Sequence, residues 1–310
     1  MEGNRRNILV VGGTGYIGSR LVPRLCEKNH RIRCLTRSRI EKRKSSFHDV
    51  ELVRGDLLQP ATLPKALEGI DTAFYLAHSL DEKTDFEGKE RRAAENFGLA
   101  AKRAGVKRII YLGGLACGES NSLSPHLRSR KVVGDTLRAS GVQVIEFQAS
   151  IVLGRGSLSF EMIRALSERL PIMIMPRWVR VKAQPICICD VVLYLVQAVH
   201  LQTESNEIFQ IGGGDQVSYK DLITEYSRQR KLWRMLIPVP VLTPYLSSLW
   251  LALVTPVYAR VGRKLIESIK SPTVVTDHRA KTVFPDIQPM GMAASIEYAL
   301  REIELFGPPA

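Results

Sequence analysis

Acidic residues run short in this chain of 310 residues: 31 Asp and Glu face 44 Lys and Arg, leaving a formal net charge of +13. Such a basic surface can serve nucleic acid, an anionic membrane or a phosphorylated ligand. Zinc-finger spacing and an aromatic-rich RNA-binding signature are both missing, so no nucleic-acid partner is expected. Cysteine is scarce too. The five present, Cys26, Cys34, Cys117, Cys187 and Cys189, include no Cys-x-x-Cys pair. An odd count so spaced argues against a disulfide framework and against a metal site of the zinc kind. Cys187 and Cys189 alternate along an expected strand, both facing the core, which suits a reduced, cytoplasmic protein. No secretory leader is expected, because the first strand begins by about residue 7. Long uninterrupted apolar runs are also lacking. The most apolar stretch, 235–261, is cut by Pro238, Pro240, Pro244 and Pro256 into pieces shorter than the ~20 residues a membrane span needs.

What remains is the composition of a folded domain, 45% hydrophobic and 24% charged, in a chain long enough to bury a sizeable core. Its organising stretch lies near the front. Residues 8–11 are apolar, as in a strand buried on both faces. Gly12-Gly13-Thr14-Gly15-Tyr16-Ile17-Gly18 follows, and then Leu21 and Leu25 recur at helical spacing. Between a strand and a helix, each glycine has a task. Gly12 allows a sharp turn, Gly15 a close approach by a pyrophosphate, and Gly18 tight packing of helix on strand. The helix start then aims amide groups and a positive dipole end at the phosphates. Thr14, Tyr16 and Ile17 complete this expected dinucleotide-binding loop.

A second strand, 31–36, ends in Thr36-Arg37-Ser38-Arg39, with no carboxylate before Glu41. An acidic residue there would hold a ribose 2′-hydroxyl, whereas arginine suits a 2′-phosphate. NADP is therefore the expected cofactor, with NAD the alternative and Arg37 the expected contact; an open-loop, solvated Arg37 is the competing reading. After a third strand at 50–54, Asp56, with Leu57 beside it, either accepts from the adenine amino group or caps a helix starting near Pro60. A fourth strand at 71–76 delivers Ala77-His78-Ser79 to the carboxyl edge, where open parallel sheets bind ligands. Further elements are a helix at 85–104, a strand at 106–112, a basic helix at 125–139 and a strand at 142–148. Asn96, in the first of these helices, either holds a water or backbone carbonyl near the cleft or simply packs. Strands and helices alternating at this spacing specify an α/β fold with a doubly wound parallel sheet. Later come a helix at 158–170, extended chain at 178–188, a helix at 190–201 and a strand at 206–211. The expected division is a nucleotide-binding core at 1–155, with 183–216 returning to the sheet. A smaller, mostly helical substrate region takes 156–182 and 217–310.

The ordered set of Gly-Gly-Thr-Gly-Tyr-Ile-Gly at 12–18, Arg-Gly-Asp-Leu at 54–57 and Ala-Glu-Asn-Phe at 94–97 resembles the atypical short-chain dehydrogenase/reductases. Ala-Gly-Val-Lys-Arg-Ile-Ile-Tyr-Leu-Gly-Gly at 104–114 and His-Leu-Arg-Ser-Arg-Lys at 126–131 extend the likeness to the NAD(P)-binding YbjT-like and NmrA-like branch. The resemblance implies an extended-type Rossmann core and a C-terminal substrate region. Related active reductases carry a Ser after the fifth strand and a Tyr-x-x-x-Lys on the next helix. Here the strand ends in Gly113-Gly114, and the helix offers His126-x-x-x-Arg130 with Lys131 adjacent. In one reading His126 is the proton donor, since histidine titrates near neutral pH, and Arg130 and Lys131 orient an anionic group. In the other the run is a basic helix edge. The apolar stretch 235–261, flanked by arginines and lysines, reads either as the wall of a substrate pocket or as a peripheral membrane contact. The resulting expectation is an oxidoreductase transferring hydride to an apolar carbonyl, quinone or enone. Its rival is a dinucleotide-binding sensor or assembly subunit without turnover.

Overall fold

A computed structural model describes residues 5–37, 50–78, 85–115, 123–175, 177–239 and 272–308. It divides into two compact units. The first comprises Met1–Gly114, Arg128–Gln148 and Val192–Phe209, and the second Leu115–Leu127, Ala149–Val191 and Gln210–Ala310.

The first unit holds a seven-stranded sheet. Its strands are β1 (Asn7–Val11), β2 (Arg31–Thr36), β3 (Glu51–Arg54), β4 (Thr72–Tyr75), β5 (Arg108–Gly114), β6 (Gln143–Ala149) and β11 (Glu207–Ile211). Their spatial order, β11-β6-β5-β4-β1-β2-β3, reverses direction between β1 and β4. The pairings of β1 with β2 and β4, of β2 with β3 and of β4 with β5 are all parallel. This is the doubly wound α/β architecture that the alternation of elements specified. Ile8, Leu9 and Val10 are wholly buried, as expected for a central strand. The helix α1 (Gly18–Glu27) presents Gly18, Leu21, Val22 and Leu25 to the core. The helix α3 (Phe86–Arg103) likewise presents Ala94, Phe97 and Ala101. The Rossmann-type core is thus mostly apolar on the sheet's faces, with Glu146 of β6 and Glu90 of α3 among its few buried charges, and polar at its edges.

At one such edge, Arg108 ties β5 to neighbouring chain. Its guanidinium donates to the Gln143 side chain at 2.8 Å and to the Ala198, Val199 and Thr203 carbonyls at 3.0–3.2 Å. The first two carbonyls belong to the end of α6 (Ile188–Ala198), where a cation complements the helix dipole. Nearby, His30 and His200 face each other with ring centroids 5.2 Å apart. Burial, then the charges of His200, Arg6 and Lys28, hold His30 below the ordinary histidine range. Burial, then Arg6, Arg108 and Lys28, does the same to His200. Histidines depressed in the folded state take up protons first in the unfolded chain. Their neutral packing therefore costs nothing above the unfolded value of about 6.5, and stability falls as pH drops below it. The urea midpoint is expected to fall between about pH 7 and about pH 5.5, and to fall less in His200→Gln.

The second unit is built on helices. Ser157 caps α5 (Leu158–Arg169) by accepting from the Phe160 amide at 3.1 Å. Ser218 and Asp221 form a reciprocal capping box at the start of α7 (Tyr219–Gln229). Phe160, Leu222, Tyr226 and Ile296 form the core between these helices and the C-terminal helix Met292–Phe306. The expected extended run at 178–188 is instead divided. A 3₁₀ turn occupies Arg177–Arg180, short strands occupy β9 (Lys182–Ala183) and β10 (Ile186–Cys187), and α6 already begins at Ile188. Cys187 and Cys189 consequently do not alternate along one strand: Cys189 sits in the first turn of a helix and is only half-buried. A parallel ladder pairs β8 (Ile172–Met175) with β13 (Met235–Pro238). Its residues alternate, with Met173 and Met175 inward and Ile172, Ile174, Met235 and Ile237 exposed. The remainder of the apolar stretch, 240–261, lies outside the described residues. Among the described residues no helix is long and apolar enough to cross a membrane.

Candidate functional site

The glycine loop leaves β1 at the sheet's reversal point, between the carboxyl ends of β2 and β4. Gly12 has φ +85°, and a Cβ there would stand 2.9 Å from the Leu76 carbonyl carbon and oxygen just beyond β4. Gly18 is tighter still: its Cβ would meet the Gly12 carbonyl oxygen at 2.3 Å and Gly13 Cα at 2.5 Å. Gly15 differs in kind. It is exposed, and a Cβ there would meet only the Gly12 carbonyl oxygen, at 3.2 Å. The loop is braced from within, since the Gly15 amide donates to the Gly12 carbonyl at 2.9 Å. Arg20, which the sequence did not single out, lies over the Tyr16 ring at 4.3 Å and donates to the Tyr16 carbonyl at 3.2 Å. Among the described residues the amides of Thr14, Ile17 and Gly18 make no hydrogen bond within the protein. Free amides around a side-chain-free cradle at a helix start are what a diphosphate requires.

Arg37 stands exposed directly after β2; Arg39 and the rest of the basic run lie outside the described residues. Asp56 does not cap a helix. Its carboxylate accepts from the Leu58 amide at 3.0 Å in a local turn, and Thr62 Oγ1 accepts from its amide at 2.9 Å. Two prolines account for this. Pro60 and Pro64 each open a short element, a 3₁₀ turn (Pro60–Thr62) and a single α-turn, α2 (Pro64–Leu67), rather than one continuous helix. Asn96 takes the carbonyl-holding role, its amide donating to the Leu57 carbonyl at 2.8 Å and so fixing the loop after β3.

At the end of β4, Ala77 and His78 lie half-buried beside the glycine loop. His78 Nδ1 is 2.6 Å from Glu90 Oε1, and the other Glu90 oxygen accepts from Ser129 Oγ. Glu90 and Ser129 are both buried. The Glu90 carboxyl group thus bridges the His78 ring and the Ser129 hydroxyl, from which it accepts, and holds the plane of the histidine. Sequence reading missed Glu90 and Ser129. A signal was present for the first: Glu90, Ala94, Phe97 and Ala101 share the buried face of α3, and only the first is charged. Ser129 is hidden within a basic run and carries no comparable mark.

On α4 (Pro125–Ala139), His126 is half-buried one turn before Arg130. Arg130 reaches the Leu112 carbonyl of β5 at 3.4 Å, while its own carbonyl accepts from the Tyr111 hydroxyl at 2.9 Å. Lys131 turns away, its ammonium half-exposed and 4.0 Å from Asp135. The tyrosines nearest this edge are unsuited to proton transfer near neutral pH. Burial pushes Tyr111 up to about 12 and Tyr75 higher still.

The NmrA-like family matches residues 4–169. A stretch of 108 residues is 38% identical to an NAD(P)H azoreductase of Xenophilus azovorans, covering 35% of each chain. A stretch of 121 residues is 34% identical to the photosystem II assembly factor Ycf39 of Synechocystis sp., covering 36% of this chain and 35% of that one. This chain thus spans about a third of the length of these two relatives. The solved structure of a Citrobacter sp. triphenylmethane reductase superposes with a TM-score of 0.76 at 18% identity, over 95% of this chain and 99% of that one. At that identity the likeness is one of fold.

Proposed function

This chain belongs to the NmrA-like family, and on that footing we propose that it binds NADP(H) and reduces an apolar carbonyl, quinone or enone. The observation that carries the reading is the cradle at Gly12, Gly15 and Gly18, where the one exposed glycine faces open space and the neighbouring amides are unused. The residues present fit the coenzyme. The amides of Thr14, Ile17 and Gly18, with Tyr16 braced by Arg20, take its diphosphate. Arg37 would take the 2′-phosphate, Asp56 and Leu57 would lie toward the adenine, and Ala77 and His78 toward the nicotinamide. When bound, the reduced nicotinamide supplies the hydride.

The proton falls to one of two histidines. His78 is oriented by Glu90, with Ser129 holding the far side of the carboxylate. His126 shares a helix face with Arg130, which could orient an anionic substrate group, while Lys131 turns toward Asp135. Turnover lost in His78→Gln and kept in His126→Ala assigns the proton to His78, and the reverse assigns it to His126. The exposed row of Ile172, Ile174, Met235 and Ile237 within the second unit is an apolar surface that suits a peripheral membrane contact.

A second reading, dinucleotide binding without turnover in the manner of an assembly subunit, is favoured by one feature. β5 ends at Gly113-Gly114, with no hydroxyl for a carbonyl oxygen. The test is incubation with NADPH and a panel of quinones and enones, following the absorbance of reduced nicotinamide. Oxidation with at least one acceptor supports the reductase; saturable binding with no oxidation across the panel supports the second reading. In the same assay Arg37→Asp is expected to weaken NADPH at least about tenfold against NADH, since it replaces an attractive contact to the 2′-phosphate by a repulsive one.

A further inference from the structure

Far along the chain from the glycine loop, within the second unit, four donor atoms converge on the junction of β10 and α6. Cys187 Sγ lies 2.7 Å from Cys189 Sγ, and Cys189 Sγ lies 3.8 Å from Asp190 Oδ1 and 4.0 Å from the Met290 thioether. One ligand atom each from Cys187, Cys189 and Asp190 falls within 4.8 Å of the others. The second oxygen of Asp190 accepts from the Met290 amide at 2.8 Å, which holds the first oxygen on the side of the sulfurs. Cys187 is wholly buried and Asp190 is 3% exposed, while the half-buried Cys189 leaves a path from solvent.

Among the described residues no Lys, Arg or His pairs with Asp190. A buried carboxylate beside two thiols, with no basic partner, is a setting in which a metal ion can supply the missing positive charge. Helix-dipole stabilisation at the first turn of α6 accounts for the aspartate, but not for two sulfurs and a thioether gathered around it. We propose that Cys187, Cys189 and Asp190, with Met290 as a weaker fourth donor, form a site for a thiophilic d¹⁰ metal ion such as Zn(II). Two thiolates and a thioether select such an ion over Mg(II) or Ca(II). Tetrahedral bonds of about 2.3 Å to sulfur space the ligands roughly 3.7 Å apart. The present donor separations bracket that value, so closure needs small side-chain rotations that part the two sulfurs. Binding exchanges two thiol protons for the ion: M²⁺ + 2 RSH → M(SR)₂ + 2 H⁺, with no change in oxidation state. Such an ion would cross-link the end of β10, the start of α6 and the segment before the C-terminal helix. The cysteine count alone pointed away from a metal, because two of the four donors are not cysteine.

The reduced full chain is to be titrated with Cd(II), whose thiolate charge-transfer absorption reports the bond directly, and then with Zn(II) in competition. The expected result is one equivalent of Cd(II) bound, displaced by Zn(II), with a rise in Tm. Because Cys187 is wholly buried, the half-buried Cys189→Ser and the nearly isosteric Asp190→Asn carry the mutational test. Affinity is expected to fall at least about a hundredfold in the first and at least about tenfold in the second, with folding checked by circular dichroism. The proposal is overturned if the reduced wild type shows no charge-transfer band, or if Cys189→Ser retains it undiminished. It is equally overturned if mass spectrometry shows that a Cys187–Cys189 disulfide forms in place of the metal complex under reducing conditions.

Discussion

Alanine at Gly15 is expected to leave the fold intact and to weaken NADPH binding at least about tenfold, the equivalent of ~1.4 kcal/mol. Alanine at Gly18 is expected to do the opposite first, lowering stability by about 3 kcal/mol before any ligand is added. The contrast follows from what each new methyl group meets. At Gly15 it touches one carbonyl oxygen at 3.2 Å, a tight contact that a small shift relieves, and otherwise points into open space. That space is where the diphosphate is proposed to lie. At Gly18 the methyl collides with Gly12 and Gly13 backbone at 2.3–2.8 Å, and backbone cannot step aside. Urea denaturation and calorimetric titration of the two variants separate the effects. A Gly15→Ala protein that binds as wild type does would remove the cradle from the account.

The second large effect concerns Glu90. Replacing it by leucine leaves the buried donors of His78 and Ser129 without their shared acceptor, and about 3–5 kcal/mol of stability is expected to go with it. Glutamine is gentler. Its carbonyl can serve one donor but its amide faces the other, at a cost of about 1–2 kcal/mol. The folded Glu90→Gln protein therefore isolates the functional consequence. If the array orients a proton-carrying His78, kcat is expected to fall about a hundredfold with KM little altered, since proton transfer contributes only to the chemical step. A purely structural array predicts a lowered urea midpoint with unchanged kcat. Double-mutant comparison with Ser129→Ala would show whether the three groups act as one unit.

Much of this architecture was legible in the sequence because its signals are local. β1, the glycine turn and the apolar spacing of α1 occupy one continuous stretch, and the boundaries of β2 (Arg31–Thr36) and α4 (Pro125–Ala139) fell where the pattern placed them. Readings were narrowed or overturned where a local signal had two outcomes. Asp56 precedes a proline in the manner of a helix cap, yet Pro60 and Pro64 divide the following segment, and the carboxylate turns back on Leu58 instead. Cys187 and Cys189 alternate as in a strand, yet the chain enters α6 at Ile188. β5 begins at Arg108 rather than at Val106, and it ends in the Gly113-Gly114 pair.

The least legible parts draw on distant segments. His78, Glu90 and Ser129 belong to a strand end, a helix face and the first turns of a later helix. Asn96 reaches back to Leu57 from α3, and Asp190 meets Met290 across 100 positions of sequence. Each pairing appears only once the chain is folded. The charged residue on the apolar face of α3 is the one member that a helical projection exposes beforehand.

The central claim is that a pyridine dinucleotide phosphate seats on the loop from Gly12 to Gly18. It is tested most directly by calorimetric titration of the folded, full chain with NADPH and, separately, with NADH. Saturable heat is expected at one equivalent with both, tighter for NADPH, with a preference that narrows in Arg37→Asp. Absence of heat with either nucleotide, from protein that unfolds cooperatively in urea, would contradict it.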